Sequence, residues 1–547
     1  MKTWAEVCPD KLRGGFYTPP RLVQACLNRL RELNGHGDSM SVLEPSVGDG
    51  AFLRGLAAHE IGATVSNLVG IELIQGEAEK CIDLADNLPF TTTIVMGSAL
   101  EWASQTNDQF DIVVGNPPFV RYQFISPTDL RHAKTVGDRL QLSFRGVSNL
   151  WIPVLLGALG RLRLGGSTAM VVPSELFTGL SAGVARAWLL SNMTELRIEL
   201  FEPGAFPGVL QQVVVISGRK IPSRSRQSHP DATVEFVEHC RNGTTQRWSH
   251  TVPLGKGNWS KYLLTSAHLQ ALAEARNVHG VRPLGMIARL EVSIVTGAND
   301  FFSVTSEEAE SFNLQRWLVP LLPRIRHSPG IIFTDADQQG TYISGAKAWL
   351  LDFSHDKPDP TSFPGASAYL TSGKGRGLDL RYKTRIRSPW YRVPGVRPGT
   401  LMLSKRSHTY PKLVLNRAGA VTTDTIYRGH MISGYAGREL DLLASFHNSL
   451  TMLSAELEGR SFGGGVLELV PSEVGRLSIP LLNETGDEAF ALDGIARRTA
   501  GSVDASEALV EETDKLIQKG IPGLNSSLME RLAAARHLLV ERRLARN

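Results

Sequence analysis

Val42-Leu43-Glu44-Pro45-Ser46-Val47-Gly48-Asp49-Gly50-Ala51-Phe52-Leu53 reads as a strand, a glycine-bearing turn and the start of a helix. The two glycines let the backbone approach a ligand closely, and the helix start offers it unpaired N–H groups. The spacing is not GxGxxG, and it is not a P-loop because no Gly-Lys-Ser/Thr follows. The next strand-like run ends Val69-Gly70-Ile71-Glu72, 22 residues beyond Gly50, a distance that suits one βαβ unit. An acid at the carboxyl end of a second strand, here Glu72, suits the paired hydroxyls of a ribose.

Outward from this unit the alternation continues. Short buried-strand patterns at 41–44, 68–72, 92–95 and 111–114 are separated by helix-like stretches at 51–59, 74–85 and 100–104. A helix over 150–164 and strands over 167–172, 195–200 and 212–217 follow. Strands alternating with helices predict an α/β fold, Rossmann-like, with a mostly parallel sheet covered on both faces and an antiparallel edge at its end.

One of these strands ends in a segment with chemical content: Asp111-Ile112-Val113-Val114-Gly115-Asn116-Pro117-Pro118-Phe119. The glycine and two prolines force an abrupt, rigid turn. The turn carries one amide side chain, Asn116, and one ring, Phe119. An amine on an aromatic ring or an amide is a poor nucleophile, because its lone pair is delocalised. Accepting hydrogen bonds from both of its N–H groups raises its reactivity. Asn116 offers a side-chain oxygen, Pro117 a backbone carbonyl with no N–H of its own, and Phe119 a face on which a flat base stacks. The competing reading is a proline-stiffened loop without chemistry.

At 547 residues the chain suits two or three domains. Hydrophobic content of 42% and charged content of 20% are those of a soluble globular protein. No apolar run approaches a membrane span and the N-terminus lacks the apolar core of a signal peptide, so no membrane association is expected. Four cysteines without CxxC spacing (Cys8, Cys26, Cys81 and Cys240) point to the cytoplasm and away from a zinc site or a disulfide framework, and no metal is expected.

Charge is divided unevenly. Residues 1–220 hold 19 Lys+Arg against 21 Asp+Glu, and residues 221–547 hold the other 39 and 33. The densest stretch, 374–417, has twelve basic residues against Asp379 alone, with Tyr382, Trp390, Tyr391 and Tyr410 interleaved. A solvated face is the ordinary explanation of a charge run. Twelve against one, with aromatics, fits a polyanion surface better, and Arg381, Lys383, Arg385 and Arg387 are the candidate nucleic-acid-binding cluster. The polar, proline-flanked 221–232 reads as a linker. The chain thus divides into 1–220, a catalytic domain that binds a cofactor, and 233–547, an α+β domain closed by helices at 506–519 and 527–546.

With these motifs in this order the sequence resembles the class I S-adenosylmethionine-dependent methyltransferases. More narrowly, it is similar to the gamma-type (TaqI-methyltransferase-like) adenine-N6 DNA methyltransferases of restriction–modification systems. The likeness covers about residues 13–220. It implies that Gly15-Phe16-Tyr17-Thr18-Pro19-Pro20 helps hold the methionine end of S-adenosyl-L-methionine, through Tyr17 and Thr18. It further implies that Glu44, Ser46 and Gly48 form the cofactor loop, that Glu72 takes the ribose, and that Asn116, Pro117 and Phe119 hold the target amine, with Asn116 also bordering the cofactor. Leu164-Gly165-Gly166-Ser167 and Val171-Val172-Pro173 match later family segments. The family places an Asp after its third strand, toward the cofactor's adenine amine; Ser98 stands there, an acceptor without charge. Residues 294–302 and 462–469 resemble C-terminal segments of such enzymes.

The resemblance implies site-specific methylation of a flipped-out adenine in double-stranded DNA, a target-recognition function for 233–547, and a cognate restriction endonuclease that acts separately. Two other functions fit parts of the pattern. A methyltransferase of RNA or of a protein glutamine shares Asn-Pro-Pro-Tyr/Phe but leaves the basic second half unexplained. A catalytically silent DNA-binding specificity protein leaves the intact 116–119 segment unexplained.

Overall fold

A computed structural model describes residues 18–544, apart from 36–38, 121–123, 145, 147–148, 180, 202–212, 222–230, 241–242, 256, 463–464 and 503–504. The chain forms two units, Met1–Ser266 and a second that begins at Ala267. The first unit is built on nine strands: β1 (Met40–Glu44), β2 (Val65–Glu72), β3 (Thr91–Met96), β4 (Phe110–Gly115), β5 (Leu162–Pro173), β6 (Met193–Phe201), β7 (Val213–Lys220), β8 (Asp231–His239) and β9 (Thr245–Pro253). Their spatial order is β3-β2-β1-β4-β5-β7-β6-β8-β9.

The strands from β3 to β5 are parallel. The β7 strand lies antiparallel between β5 and β6. Every residue of β1 is buried, as a central strand covered on both faces requires. On one face α1 (Pro20–Asn34) and α2 (Ala51–Ala58) pack Leu22, Cys26, Leu27, Phe52 and Leu53 onto Val42, Ile112 and Val114. On the other face α3 (Ala99–Gln105), α4 (Pro127–Leu140) and α5 (Trp151–Gly160) enclose Leu100, Ala103, Val136 and Val154. Strand order reverses between β1 and β4, and the crevice outside the carboxyl ends of such strands is where α/β sheets bind ligands. Glu44, Glu72 and Gly115 end three of them there. This is the mostly parallel α/β sheet expected from the sequence, with its antiparallel edge.

Three expectations need correction. The helix expected over 150–164 ends at Gly160, and β5 already begins at Leu162. Gly165, at φ +81°, bends the chain inside that strand. The expected linker at 221–232 does not separate two domains. Residues 222–230 lie outside the described ones, but Asp231 and Ala232 already belong to β8, which pairs in parallel with β6 and antiparallel with β9. Ala232, Val234 and Phe236 are buried in alternation, the mark of a strand lying on a core. The boundary therefore falls at Ser266 rather than at 220–233.

The second unit is α+β. Its main sheet has the order Ala288–Glu291, Ile426–Met431, Leu401–Ser404, Leu413–Asn416, Ile332–Phe333. Helices Glu439–Phe446, Ser449–Glu458 and Gly486–Thr499 add Leu442, Phe446, Met452 and Leu492 to its core. A second, aromatic core holds Phe301, Phe302, Trp317, Tyr369, Trp390 and Tyr391. The closing helices are Ala505–Gly520 and Ser526–Leu544, one or two residues from their expected bounds. No described helix is long and apolar enough to cross a membrane.

Candidate active site

The glycine turn after β1 is held in place by β2. Gly48 and Gly50 take φ of +58° and +81°, values that favour glycine. Glu72 Oε2 accepts the Gly48 N–H at 2.8 Å and Oε1 accepts the Ile74 N–H at 2.8 Å. Val47 N–H donates to the Ile71 carbonyl at 2.9 Å. The acid at the end of β2 is thus also the clamp on the loop. Glu44 is 1% exposed and its Oε2 has no hydrogen-bond partner among the described residues. Burial, then the Asp49 and Glu72 carboxylates, push its pKa well up. A cationic group brought to this carboxyl would offset both effects.

Gly115, at φ +151°, closes β4 so near β1 that a Cβ there would meet Pro45 Cδ at 3.2 Å. The next residue is fixed from two sides. Asn116 Nδ2 donates to Thr18 Oγ1 at 3.2 Å, and the Asn116 carbonyl accepts from Ser46 Oγ at 2.8 Å. Its Oδ1 is buried without a partner among the described residues. With the amide nitrogen turned toward Thr18 Oγ1, the side-chain oxygen is left as an open acceptor. Pro117 is buried beside it, and Phe119 is half-buried against the core of the first sheet face. Tyr17 lies outside the described residues.

Ser98 follows β3 and precedes α3. Its hydroxyl donates to Asp129 Oδ1 at 2.7 Å, and Ser126 Oγ donates to Asp129 Oδ2 at 2.7 Å. Leu73 and Met96, at the ends of β2 and β3, are 67% and 62% exposed. Met96 is the register partner of Glu72. Sequence reading missed Asp129 and Leu73. The signal for Asp129 was an ordinary helix cap, Ser126-Pro127-Thr128-Asp129, which by itself predicts only a helix start. Leu73 had a better one, a large apolar residue directly after the acid that ends β2.

The basic stretch 374–417 does not form one surface. Trp390 and Tyr391 are each 8% exposed in the aromatic core, and Tyr410 donates to Glu507 at 3.0 Å. Half-buried Lys412 donates to the Ser328 carbonyl at 2.7 Å. Arg397 pairs with Glu291, and Lys405 and Arg406 pair with Glu468. Within the candidate cluster, Arg387 donates to the Thr296 and Val295 carbonyls at 2.7 and 2.6 Å, so it anchors a loop. Arg381, Lys383 and Arg385 are exposed and pair with no carboxylate among the described residues. Hydrophobic collapse has taken Trp390 and Tyr391 inward and left Tyr382 and part of the charge outside.

Comparison with known proteins agrees with this layout. Residues 67–205 match the family described as Eco57I restriction-modification methylase, and residues 256–517 match the one described as Type II methyltransferase M.Eco57I, C-terminal domain. The chain is 21% identical to Type II methyltransferase M.AccI of Acinetobacter calcoaceticus over 87% of its own length and 88% of that protein's. It is 22% identical to Type II methyltransferase M.XamI of Xanthomonas campestris pv. amaranthicola, over 86% and 85%. Among solved structures it is similar to the type IIG restriction endonuclease BpuSI, with a TM-score of 0.44 and 16% identity, over 97% of this chain and 66% of that one. Both matched segments stand in order along the chain, so it is similar to the Eco57I restriction-modification methylases over 67–205 and to the M.Eco57I C-terminal domain over 256–517.

Proposed function

We propose that this DNA methyltransferase transfers a methyl group from S-adenosylmethionine to the 6-amino group of an adenine rotated out of duplex DNA. The observation that carries the reading is Asn116: its amide nitrogen is held by Thr18, and its buried oxygen has no partner among the described residues at the mouth of β4. An amine that donates one N–H to Asn116 Oδ1 and the other to the Pro117 carbonyl keeps its lone pair free for attack. Phe119 offers the ring that faces the base. Extrusion of the base costs roughly a few kcal/mol of unstacking.

The residues at the sheet edge fit the cofactor. Glu72 suits its ribose, the partnerless Glu44 carboxyl oxygen suits its ammonium group, and the exposed Leu73 and Met96 suit a purine face. When bound, S-adenosylmethionine supplies a methyl group activated by its sulfonium. The protein's contribution is orientation and polarisation of the amine. Asn116 Oδ1 and the Pro117 carbonyl would hold the amine with its lone pair toward the methyl group that bound S-adenosylmethionine would supply. No covalent enzyme intermediate is required.

The second unit supplies target recognition, and a separate endonuclease of the same site specificity is the expected partner. The test is incubation of the purified chain with isotopically labelled S-adenosylmethionine and duplex DNA, digestion to nucleosides and mass spectrometry. Label on N6-methyladenine is the expected result. Label on a cytosine, or transfer only to RNA or to a glutamine-containing protein, would overturn the reading.

A further inference from the structure

Seven large apolar side chains are more than 60% exposed among the described residues, and three of them, Leu380, Tyr382 and Ile386, fall within seven consecutive positions. Exposed Arg381, Lys383 and Arg385 are interspersed with them. Lys383 Nζ and the Arg385 guanidinium lie 5.5 and 5.7 Å from the centre of the Tyr382 ring. A concentrated apolar patch on an otherwise polar surface marks an interaction site.

The inner side of this segment is firmly held. Thr384 is 0% exposed, and its hydroxyl lies within hydrogen-bonding distance of the Leu378 and Arg381 carbonyls. Arg387 binds the Val295 and Thr296 carbonyls, and Gly297 lies so close that a Cβ there would be 2.8 Å from Lys383 Cβ. Ala298 N–H donates to Thr296 Oγ1 at 3.0 Å, and Asn299 Nδ2 reaches Asp424 at 3.0 Å. Two chain segments are thereby locked into one knob. Its base is hydrogen-bonded to protein, and its outer face carries both charge and apolar bulk.

We propose that residues 380–386 form a wedge for duplex DNA. Leu380, Tyr382 and Ile386 press between stacked base pairs while Arg381, Lys383 and Arg385 bind the flanking phosphates. Charge selects this occupant: within 374–387 six cations face Asp379 alone, a balance that attracts a polyanion. Apolar side chains driven into a base step kink and unwind the duplex, and the neighbouring cations hold the strands that the kink brings near. A rigid knob loses little conformational entropy on insertion. The proposal rests on the DNA-methyltransferase reading and adds to it a place and a mode of distortion.

The test uses the full chain and two triple variants, Leu380→Ser/Tyr382→Ser/Ile386→Ser and Arg381→Gln/Lys383→Gln/Arg385→Gln. Duplex affinity is measured over a salt series, and unwinding by sealing nicked plasmid in the presence of the protein and reading its linking number. The cation variant should bind more weakly, with a salt slope shallower by about 0.9 log unit for each phosphate no longer neutralised. The apolar variant should keep the slope, bind roughly tenfold more weakly and lose the linking-number change. Both variants should keep wild-type affinity for S-adenosylmethionine, which monitors folding of the first unit, and a wild-type circular dichroism spectrum.

An apolar variant that unwinds plasmid like the wild type overturns the wedge. So does one that changes only the protein's self-association in sedimentation, which would make the patch a protein interface. If the wild type methylates DNA and both variants match it, only the wedge fails. If the wild type neither binds nor methylates DNA, the underlying reading fails and the wedge falls with it.

Discussion

Ser98 donates its hydroxyl to Asp129 at 2.7 Å, and so brings a carboxylate from the first turn of α4 to the carboxyl end of β3. The residue after β3 has no charge of its own, but it is not isolated from charge. Because the hydroxyl hydrogen is directed at Asp129, the serine oxygen keeps its lone pairs for an approaching N–H. Across the edge from β4 to β3, the Asn116, Glu44, Glu72 and Ser98 positions follow in the order that a long ligand would meet them.

Asp129→Ala should therefore weaken S-adenosylmethionine binding by about 1 kcal/mol, and Ser98→Ala by a similar amount. The double variant should lose less than the two single effects combined, because both remove one hydrogen-bonded unit. Calorimetric titration checks this. Additive losses would mean that the pair does not act together on the ligand.

Asn116→Ala should lower the rate of methyl transfer by about 10²–10³-fold, the scale of losing one preorganised hydrogen-bonding group at a reacting centre. Cofactor and DNA affinities should change little. Single-turnover transfer rates decide the matter, and near-normal turnover would remove Asn116 from the site.

Glu72→Ala should weaken cofactor binding by roughly 1.5–3 kcal/mol through loss of charged hydrogen bonds. The structure adds a second consequence. Gly48 N–H and Ile74 N–H would lose their acceptor, so hydrogen exchange at these two amides should accelerate. An unchanged dissociation constant with faster exchange would make Glu72 a loop clamp alone.

Arg387→Gln should act on stability rather than on phosphate binding. It removes two charged hydrogen bonds to the Val295 and Thr296 carbonyls, a loss of about 1–3 kcal/mol. The melting temperature should fall while the salt slope of DNA binding stays that of the wild type. A shallower slope with unchanged melting would restore Arg387 to the phosphate-binding set.

His447 gives a pH prediction. It is 4% exposed, its Nε2 accepts the Leu413 N–H at 3.2 Å, and burial, then Lys412, hold its pKa down to about 3. An unfolded histidine takes up its proton near pH ~6.5. Between that pH and about 3 the unfolded chain binds the extra proton, so stability contributed by neutral His447 declines as pH falls through this window. The loss should reach the order of a few kcal/mol at the acid end. Urea titrations at successive pH values check it, and His447→Gln should flatten the dependence.

The catalytic half was legible because its signals are local. A glycine turn, an acid ending a strand and Asn-Pro-Pro-Phe each state a backbone conformation and a side-chain chemistry within a few residues. The boundary at Ser266 was not legible. Its cause is the parallel pairing of β8 with β6, two strands between which the chain first runs out along β7, and no local pattern announces a partner that distant. Asp129 escaped for the same reason: its role comes from Ser98, 31 residues earlier. The basic stretch misled because Trp390 and Tyr391 read alike whether they face a base or a core. Only the enclosing Phe301, Tyr369 and Trp317 tell the two apart.

The nine-strand sheet also decides where this polypeptide can be divided. A fragment ending at Lys220 would leave β6 with its outer row of N–H and C=O groups unpaired, the kind of naked edge that recruits other chains into aggregates. A fragment ending at Ser266 keeps β8 and β9 as its own cover. Whatever exchange of recognition modules evolution or engineering attempts in this lineage, the seam that leaves a self-contained catalytic piece lies after β9.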